Sequence, residues 1–236
     1  MTNSTFRFKQ FEIEQADCAM KINTDGVLIG ALSSHDAPLR ILDIGTGTGV
    51  IALMLAQRYP SAYIDAVEID LQAAYQAGLN FQNSIFSNRI KILNSSFEAI
   101  DQTCFYDLIV SNPPFYTNSL HTSNERKKIA KHTDIDFFKN ILNFAYHRLR
   151  AEGVLQLILP TELALEIKRI APDYNLHTTQ EIAIRSFEST AVIRQIIHLR
   201  KDRQDTVRQQ NFVIYSGKGI YSDEYRQLLK PFFLAF

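Results

Sequence analysis

A strand, a glycine-rich loop and a helix follow one another directly near the start of the chain, and this unit restricts the fold more than any other feature. Residues 40–44 have the apolar pattern of a buried strand, and residues 50–59 have a helical pattern. Glycines let a ligand approach the backbone closely, and the following helix offers free N–H groups. The unit therefore predicts an α/β fold with a nucleotide-type site at the loop. That loop reads Gly45-Thr46-Gly47-Thr48-Gly49.

The residues around this loop argue against a dinucleotide as its ligand. Dinucleotide folds cradle a pyrophosphate with a GxGxxG loop, whereas this chain has GxGxG preceded by the carboxylate of Asp43, which would repel phosphates. An acid suits a cationic, amine-bearing ligand such as S-adenosylmethionine, and the pattern resembles the first motif of class I methyltransferases. A purely structural turn is the alternative. The cofactor-binding residues predicted here are Asp43, Gly45, Thr46, Gly47 and Gly49.

The second strand pattern ends in acidic residues. Glu68 lies about 19 residues past Gly49, a distance at which nucleotide folds place an acid on the ribose hydroxyls. We expect Glu68 to bind the cofactor ribose and Ile69 to cover the adenine face. Asp70 is interpreted as the cap of the next helix, over residues 71–83.

The third strand pattern, over residues 89–93, leads into the loop predicted to hold the cofactor adenine. Class I methyltransferases usually place an aspartate soon after this strand, and that acid is missing here. Asn94, Ser95 or Ser96 could accept the hydrogen bond from the adenine amine instead. Phe97 could form an apolar wall beside the ring.

The fourth strand pattern, over residues 106–111, ends in Asn112-Pro113-Pro114-Phe115. Two prolines remove two backbone donors and fix φ, so the chain leaves the sheet as a rigid, extended turn. Such a turn can accept two hydrogen bonds from a planar –NH2 group and stack on its ring, which localises the amine lone pair in the transition state. We therefore predict that Asn112, Pro113, Pro114 and Phe115 are catalytic, with Asn112 also touching the cofactor. An ordinary proline-rich turn is the alternative.

A helix-like apolar run at residues 27–32 follows Thr24 and Asp25. Either residue can cap that helix, and either can contact the cofactor. One residue can do both, so the sequence leaves these roles open.

The composition bounds what the chain can be. With 236 residues and 46% hydrophobic content, we expect one domain over residues 1–236. The apolar runs fall far short of the roughly 20 residues of a membrane span, and no signal-peptide pattern precedes them. Two cysteines, Cys18 and Cys104, fit a reducing cytoplasm in which isolated thiols are the expected state. The histidines lack metal-ligand spacing, so we expect no metal.

The charge is unevenly distributed although the net charge is zero. Residues 1–125 hold 7 Lys/Arg and 13 Asp/Glu, whereas residues 126–236 hold 18 Lys/Arg and 12 Asp/Glu, so a polyanion would approach the second half. Residues 116–133 lack periodicity and predict a mobile loop beside the active site, before a helix over residues 134–150. Solvated surface charges are the alternative for its cations. The candidate substrate contacts there are Arg126, Lys127, Lys128, Lys131 and His132.

The Asp43 loop, Glu68 and the Asn-Pro-Pro-Phe turn together resemble class I amino methyltransferases with an Asn-Pro-Pro-aromatic motif. More narrowly, the chain is similar, nearly end to end, to the bacterial family that methylates an adenine N6 amine of tRNA(Val). This narrower resemblance rests on Phe8-Lys9-Gln10-Phe11, Cys18-Ala19-Met20-Lys21, Thr24-Asp25-Gly26-Val27-Leu28, Asn112-Pro113-Pro114-Phe115 and Lys230-Pro231-Phe232-Phe233-Leu234.

The resemblance implies a Rossmann-like class I methyltransferase fold, with a doubly wound, seven-stranded, mostly parallel sheet and an antiparallel C-terminal strand. It implies methyl transfer from S-adenosylmethionine to adenine-37 of tRNA, immediately 3′ of the anticodon, with Asn112 and Pro113 holding the amine and Phe115 stacking on the base. It also implies that an N-terminal extension, residues 1–35, closes over the cofactor through the stretch from Lys21 to Asp25, while residues 36–236 form the catalytic core. We expect a monomer.

Two other functions fit parts of the pattern. A methyltransferase acting on a glutamine carboxamide of a release factor uses the same Asn-Pro-Pro-aromatic chemistry, but it would typically carry an N-terminal helical domain before the glycine loop. A non-catalytic nucleotide-binding or RNA-binding module is the second alternative. Retention of both Glu68 and the Asn-Pro-Pro-Phe turn argues against that module.

Overall fold

The computed structural model describes residues 5–15, 21–114 and 124–236, with side chains in the last range described from residue 135 onward. Helices and strands alternate along most of this length. The helices are α1 (Thr24–Leu32), α2 (Val50–Arg58), α3 (Leu71–Gln82), α4 (Asn124–Arg148), α5 (Thr161–Ile170) and α6 (Asp223–Leu229). The strands are β1 (Thr5–Arg7), β2 (Glu12–Glu14), β3 (Arg40–Ile44), β4 (Tyr63–Glu68), β5 (Ile90–Asn94), β6 (Tyr106–Ser111), β7 (Leu149–Pro160), β8 (His177–Arg185), β9 (Val192–Arg200), β10 (Arg208–Val213), β11 (Tyr215–Gly217) and β12 (Ile220–Tyr221).

Eight of the described strands form one sheet in the order β10-β8-β9-β7-β6-β3-β4-β5. Strands β3 to β7 are parallel, β9 runs antiparallel between β7 and β8, and β10 pairs parallel with β8 at the edge. Between β3 and β6 the strand order reverses, which creates a crevice at the carboxyl ends of these two strands. This is the predicted Rossmann-like, doubly wound arrangement.

One detail of the predicted sheet was wrong, because the sheet has eight strands instead of seven. The antiparallel strand is β9, in the C-terminal half of the chain, and it lies inside the sheet between β7 and β8. A short loop joins β8 to β9 and forces them to pair antiparallel. The edge of β8 that remains accepts β10, which starts at Arg208 with polar residues and so shows little strand pattern in the sequence.

The sheet separates two apolar layers, because successive side chains of a strand point to opposite faces. Ile41 of β3 and Leu108 of β6 belong to the layer that α1, α2, α3 and α6 cover. Their neighbours Leu42 and Ile109 belong to the layer that α4 and α5 cover. All four side chains are fully buried, so the strands that carry the crevice lie at the centre of the core.

The N-terminal and C-terminal segments of the described chain are joined by hydrogen bonds. The predicted short β segment is the hairpin of β1 and β2. Between these strands, the Lys9 N–H donates to the carbonyl of Phe232 at 2.7 Å. The Lys9 ammonium donates to the carbonyls of Lys230, at 2.6 Å, and Phe236, at 2.7 Å. Residues from both segments therefore complete the same apolar layer.

The predicted cap of α1 was wrong by one or two positions. Asn23 is the cap, and its Oδ1 accepts a hydrogen bond from the Gly26 N–H at 2.8 Å. Thr24 and Asp25 already lie in the first turn of the helix. Asn ranks with Ser and Asp as the best capping residues, so the sequence did contain the signal.

The predicted loop at residues 116–133 is helical in its described part. Helix α4 begins at Asn124, ten residues before the predicted start at Asp134, and residues 115–123 lie outside the described chain. Residues 125–131 are Glu, Arg, Lys, Ile and Ala, most of which favour helix, so propensity decides the structure where apolar periodicity is weak. The candidate cations from Arg126 to His132 therefore lie on a helix.

Two predictions from composition concern the cysteines and membrane-spanning helices. Cys104 is a free, half-buried thiol, whereas Cys18 lies outside the described residues. Among the described ranges, none of the helices combines the length and the apolarity needed to cross a bilayer.

Replacing Gly49 by alanine should destabilise the protein strongly. Gly49 has φ +84°, and an added Cβ would overlap the ring of Phe81. Left-handed strain costs about 1–2 kcal/mol and overpacking about 1–3 kcal/mol more. Chemical denaturation should therefore show a larger loss of unfolding free energy in Gly49→Ala than in the control Gly219→Ala, which has φ +74° but open space around the added atom. Equal losses in the two variants would contradict the contact with Phe81.

Candidate active site

A cavity of about 430 Å³ opens at the carboxyl edge of the sheet, at the switch point between β3 and β6. The loops that follow β3, β4, β5 and β6 form its wall, and Phe137 of α4 contributes from the side. A volume of this size suits a ligand as large as a nucleoside derivative. The four sequence segments selected above therefore meet in one place.

The glycine loop after β3 is held against the end of β4. The N–H groups of Gly45 and Thr46 donate to the carbonyl of Val67 at 2.9 and 3.0 Å. The Gly47 N–H donates to Oε2 of Glu68 at 3.0 Å. Gly45 and Gly47 line the cavity, so the loop presents its backbone to the interior of the cavity.

Asp43 lies behind this loop and is fully buried. Its Oδ2 accepts a 2.6 Å hydrogen bond from the Thr46 hydroxyl, whereas its Oδ1 has no hydrogen-bond partner among the described residues. Burial raises the pKa of Asp43 to about 7, and the negative charge of Glu68 adds to the rise, while the Thr46 hydroxyl and the nearby Ala52 N–H act to lower it. Neither Asp43 nor Thr46 lines the cavity. They would act on a ligand through the electrostatic field and through the conformation of the loop rather than by direct contact.

Glu68 is held in a fixed orientation at the mouth of the cavity. Its Oε2 accepts from Gly47, and its Oε1 accepts from the Asp70 N–H at 3.0 Å. Each oxygen keeps capacity for a further hydrogen bond from a ligand hydroxyl. Asp70 caps α3 as predicted, because its Oδ1 accepts from the Ala73 N–H at 2.8 Å, and Asp70 also lines the cavity.

The loop after β5 forms the wall that we assigned to adenine. The Asn94 amide donates to the carbonyls of Glu68, at 2.9 Å, and Ile69, at 3.2 Å, so it fixes the end of β4 and does not line the cavity. Ser96 and Phe97 do line it, together with Ser95 and the exposed Ile69.

The sequence reasoning missed two residues of this wall. Phe137 packs edge-on against Phe97, with ring centroids 5.8 Å apart. Glu98 brings a carboxylate to the cavity and accepts from the Asn140 amide at 3.5 Å. Glu98 stands four residues after Asn94, so it could have been considered as an acid for this loop. Phe137 had no such signal, because it depends on how α4 packs.

The turn after β6 forms the remaining wall. Ser111 is fully buried, and its hydroxyl donates to the Ile44 carbonyl at 2.8 Å, which ties the two strand ends together. Asn112, Pro113 and Pro114 line the cavity. Phe115, the fourth residue of the motif, lies outside the described residues.

The predicted contacts from the N-terminal segment are not in the cavity wall. Lys21 and Thr24 are exposed, and Asp25 forms a 2.7 Å ion pair with Arg194 of β9. Asn23, which the sequence reasoning did not select, is the residue of this segment that reaches the turn, because the Asn112 Nδ2 lies 3.5 Å from its Oδ1.

The fold and the crevice define a Rossmann-like class I methyltransferase. Among solved structures, a predicted O-methyltransferase from Agrobacterium tumefaciens superimposes with a TM-score of 0.67 over 88% of this chain and 96% of its own, at 18% identity. TrmN from Thermus thermophilus superimposes with a TM-score of 0.57 over 75% of this chain and 48% of its own, at 23% identity. At these identities the likeness concerns the fold.

Sequence comparison identifies the family. The model of the methyltransferase small domain matches residues 23–181. A protein of Pedobacter heparinus named tRNA1(Val) (adenine(37)-N6)-methyltransferase is 50% identical over 233 residues, 99% of each chain. A protein of the same name from Bacteroides thetaiotaomicron is 36% identical over 235 residues, also 99% of each chain. The chain therefore belongs to the methyltransferase small domain family and, within it, to the family of the tRNA1(Val) (adenine(37)-N6)-methyltransferases, which confirms the predicted resemblance.

Asp43 should make stability depend on pH in a defined window. Its carboxyl has a pKa of about 7 in the folded chain and 3.8 as the reference value, so the folded state keeps a proton that the unfolded state has lost. The stability associated with this proton is complete below about pH 4 and is lost as the pH rises to about 7. The unfolding free energy of the wild type should therefore fall relative to Asp43→Asn across this window, by up to about 1.4 kcal/mol per pH unit.

Urea denaturation of both proteins at several pH values measures this difference. The Asn variant keeps an acceptor for the Thr46 hydroxyl and removes only the titration. Curves that run parallel from pH 4 to pH 7 would mean that Asp43 does not titrate there.

Proposed function

We propose that this chain transfers a methyl group from S-adenosylmethionine to the exocyclic N6 amine of an adenine in tRNA, adenine-37 next to the anticodon of tRNA(Val). The observation that carries this assignment is that the Asn-Pro-Pro turn and the Glu68 loop line one cavity at the switch point. Relatives that match the chain over nearly its whole length carry the name of this activity.

The residues of the cavity fit that cofactor. Glu68 places a carboxylate at the glycine loop, and the buried carboxyl of Asp43, with a pKa raised to about 7, lies behind it with no partner for its Oδ1 among the described residues. Such a negative site attracts a sulfonium or ammonium group and repels a pyrophosphate. We assign Glu68 to the ribose hydroxyls, Ser96 to the adenine amine, and Ile69 and Phe97 to the two apolar faces of the base. When bound there, the cofactor supplies an electrophilic methyl group.

Asn112 and Pro113 supply the acceptors that activate the substrate amine. The lone pair of an adenine N6 is delocalised into the ring, so the free amine is a poor nucleophile. Two carbonyl oxygens that accept its two N–H bonds favour a tetrahedral nitrogen, which has a localised lone pair. Because this interaction strengthens as the nitrogen becomes tetrahedral and positive, it acts mainly on the transition state. One of the protons then leaves to solvent.

Phe115 is proposed to stack on the substrate base. An adenine in an RNA loop must be turned out of its stack to enter a crevice, which costs a few kcal/mol, least for an unpaired base. An aromatic side chain offsets this cost by about 1–3 kcal/mol per stacked base. A position beside the anticodon is unpaired, so turning this base out of its stack costs little free energy.

The N-terminal half of α4 is proposed to contact the tRNA backbone. Its cations follow the turn in the chain and lie on a helix whose later residue Phe137 lines the cavity. A local cluster of this kind can bind one RNA loop although the net charge of the chain is zero. The substrate contacts proposed there are Arg126, Lys127, Lys128, Lys131 and His132.

The N-terminal segment is proposed to close over the cofactor. The part before α1 is fixed at its end, since the Ile22 N–H donates to the Gln15 Oε1 at 2.9 Å. We assign Lys21 and Thr24, which are exposed, to contacts with the cofactor after this segment has closed over it. Asp25 would support it through its ion pair with Arg194.

Replacing Asn112 by alanine should lower kcat by about 100-fold or more, the usual loss for one preorganised polar contact. Phe115→Ala should weaken RNA binding and turnover together, because stacking acts on the bound base. Both variants should still bind S-adenosylmethionine in calorimetry. Steady-state kinetics with tRNA(Val) and mass spectrometry of its nucleosides measure the effects.

The exposed Asn211 of β10 provides a matched control, and Asn211→Ala should leave kcat unchanged. An Asn112→Ala enzyme with nearly wild-type kcat would reduce the Asn-Pro-Pro sequence to a structural turn. Wild-type protein that methylates a glutamine of a release factor, and not tRNA, would replace the proposed substrate.

Replacing Lys127, Lys128 and Lys131 together by glutamine should raise KM for tRNA and flatten its dependence on salt. Each lost phosphate contact should reduce the slope of log affinity against log salt by about 0.7–0.9. Cofactor affinity should stay the same. Filter binding over a range of salt concentrations gives this slope for the wild type and for the triple variant.

A charge-matched control removes three exposed cations that lie elsewhere, Arg7, Lys91 and Arg203. An equal change in slope for both triple variants would mean that overall charge, not the N-terminal half of α4, controls RNA binding.

A further inference from the structure

Asn23 lies at the N-terminus of α1 and reaches the proposed catalytic turn. Its Oδ1 lies 3.5 Å from the Nδ2 of Asn112, 89 residues further along the chain. Building on the function proposed above, we propose that Asn23 is a positioning residue: it orients the Asn112 side-chain amide so that the Asn112 Oδ1 faces the substrate amine.

The direction of this contact is determined by the backbone of α1. The Gly26 N–H lies 2.8 Å from the Asn23 Oδ1, and a backbone N–H can only donate. The atom of Asn23 at that position must therefore be the oxygen. Since the same oxygen faces Asn112, the Asn112 amide must present its NH2 group there. The Asn112 Oδ1 is then directed away from Asn23, and the reverse orientation would bring two oxygens together.

Asn23 is held in place by the way α1 packs. Leu28 and Ile29 are fully buried in the core, so the helix axis is fixed against the sheet. The first turn is anchored separately, because Asp25 pairs with Arg194 at 2.7 Å and both side chains are largely buried, at 19% and 26% exposure. The backbone at the start of this helix is therefore held in place relative to the sheet.

Gly26 lies beside this contact. A Cβ added there would be 3.5 Å from the Asn23 Oδ1 and 3.7 Å from the Asn112 Nδ2, both ordinary van der Waals distances. The backbone of the first turn of α1 therefore adjoins both side chains.

The contact should affect orientation more than stability. At 3.5 Å it is a long hydrogen bond that contributes little by itself, although such bonds shorten in the reacting complex. Catalysis, in contrast, is sensitive to small displacements of the acceptor, and misplacement by about 1 Å costs on the order of 100-fold in rate. Loss of the contact should therefore appear in kcat rather than in KM or in the melting temperature.

Two substitutions separate capping from positioning. Asn23→Asp keeps an oxygen for both Gly26 and Asn112, whereas Asn23→Ser keeps the cap but is too short to reach Asn112. With tRNA(Val) as substrate, Asn23→Ser should lose about 10-fold or more in kcat at unchanged KM and nearly unchanged melting temperature. Asn23→Asp should keep the wild-type kcat. In an Asn112→Ala background, Asn23→Ser should have no further effect.

A second measurement does not depend on activity. The side-chain NH2 resonances of Asn112, identified by their loss in Asn112→Ala, should shift in Asn23→Ser and stay close to the wild-type positions in Asn23→Asp. Wild-type protein that does not methylate tRNA would refute the proposed function, while these resonances would still decide the role of Asn23. Wild-type kcat in Asn23→Ser, equal losses in the Ser and Asp variants, or unshifted Asn112 resonances would each overturn the positioning role.

Discussion

The crevice depends on the parallel pairing of β3 with β6. Ile44 pairs with Ser111 at the carboxyl end of both strands, and the Ser111 hydroxyl donates to the Ile44 carbonyl across 67 residues of sequence. Because both strands end at one edge, the glycine loop after β3 and the Asn-Pro-Pro turn after β6 must face each other. A register shift of one residue would turn Asn112 to the other face of the sheet. The chemistry of the site is thus a consequence of strand register.

The parallel pairing of β3 with β4 brings acidic groups together in a way that costs stability. Asp43 is fully buried, and the charge of Glu68 adds to the burial that raises the pKa of Asp43 to about 7. The loop limits this cost, because Thr46 donates to Asp43 and Gly47 donates to Glu68. These two hydrogen bonds partly offset the repulsion between the carboxyl groups of Asp43 and Glu68.

The sequence predicted features that depend on short stretches of chain. The glycine loop, the Asp70 cap and the Asn-Pro-Pro turn depend on neighbours within a few residues, and the structure places the loop and the turn in one cavity wall. Cavity residues set by distant contacts were missed. Phe137 lines the cavity because α4 packs on Phe97.

The missed cap at Asn23 shows a different limit. Its residue type favours capping, but Thr24 and Asp25 beside it are also good capping residues, and local preference does not choose among three adjacent candidates. Tertiary contacts determine which residue is the cap. Asp25 forms an ion pair with Arg194 of β9, and Asn23 faces Asn112. The position of the cap and the contact with the turn are consequently decided together.

The loop after β5 shows how one side chain, that of Asn94, determines which neighbouring residues line the cavity. Asn94 stands near the usual place of an acid, and its amide is used to fix the carbonyls of Glu68 and Ile69. Because an amide donates where a carboxylate can only accept, this residue holds the β4 loop rather than the ligand. The next residues of the loop line the cavity instead, with the hydroxyl of Ser96 and the carboxylate of Glu98 on the same wall. The loop thus holds the end of β4 with Asn94 and places its other polar groups further along the chain.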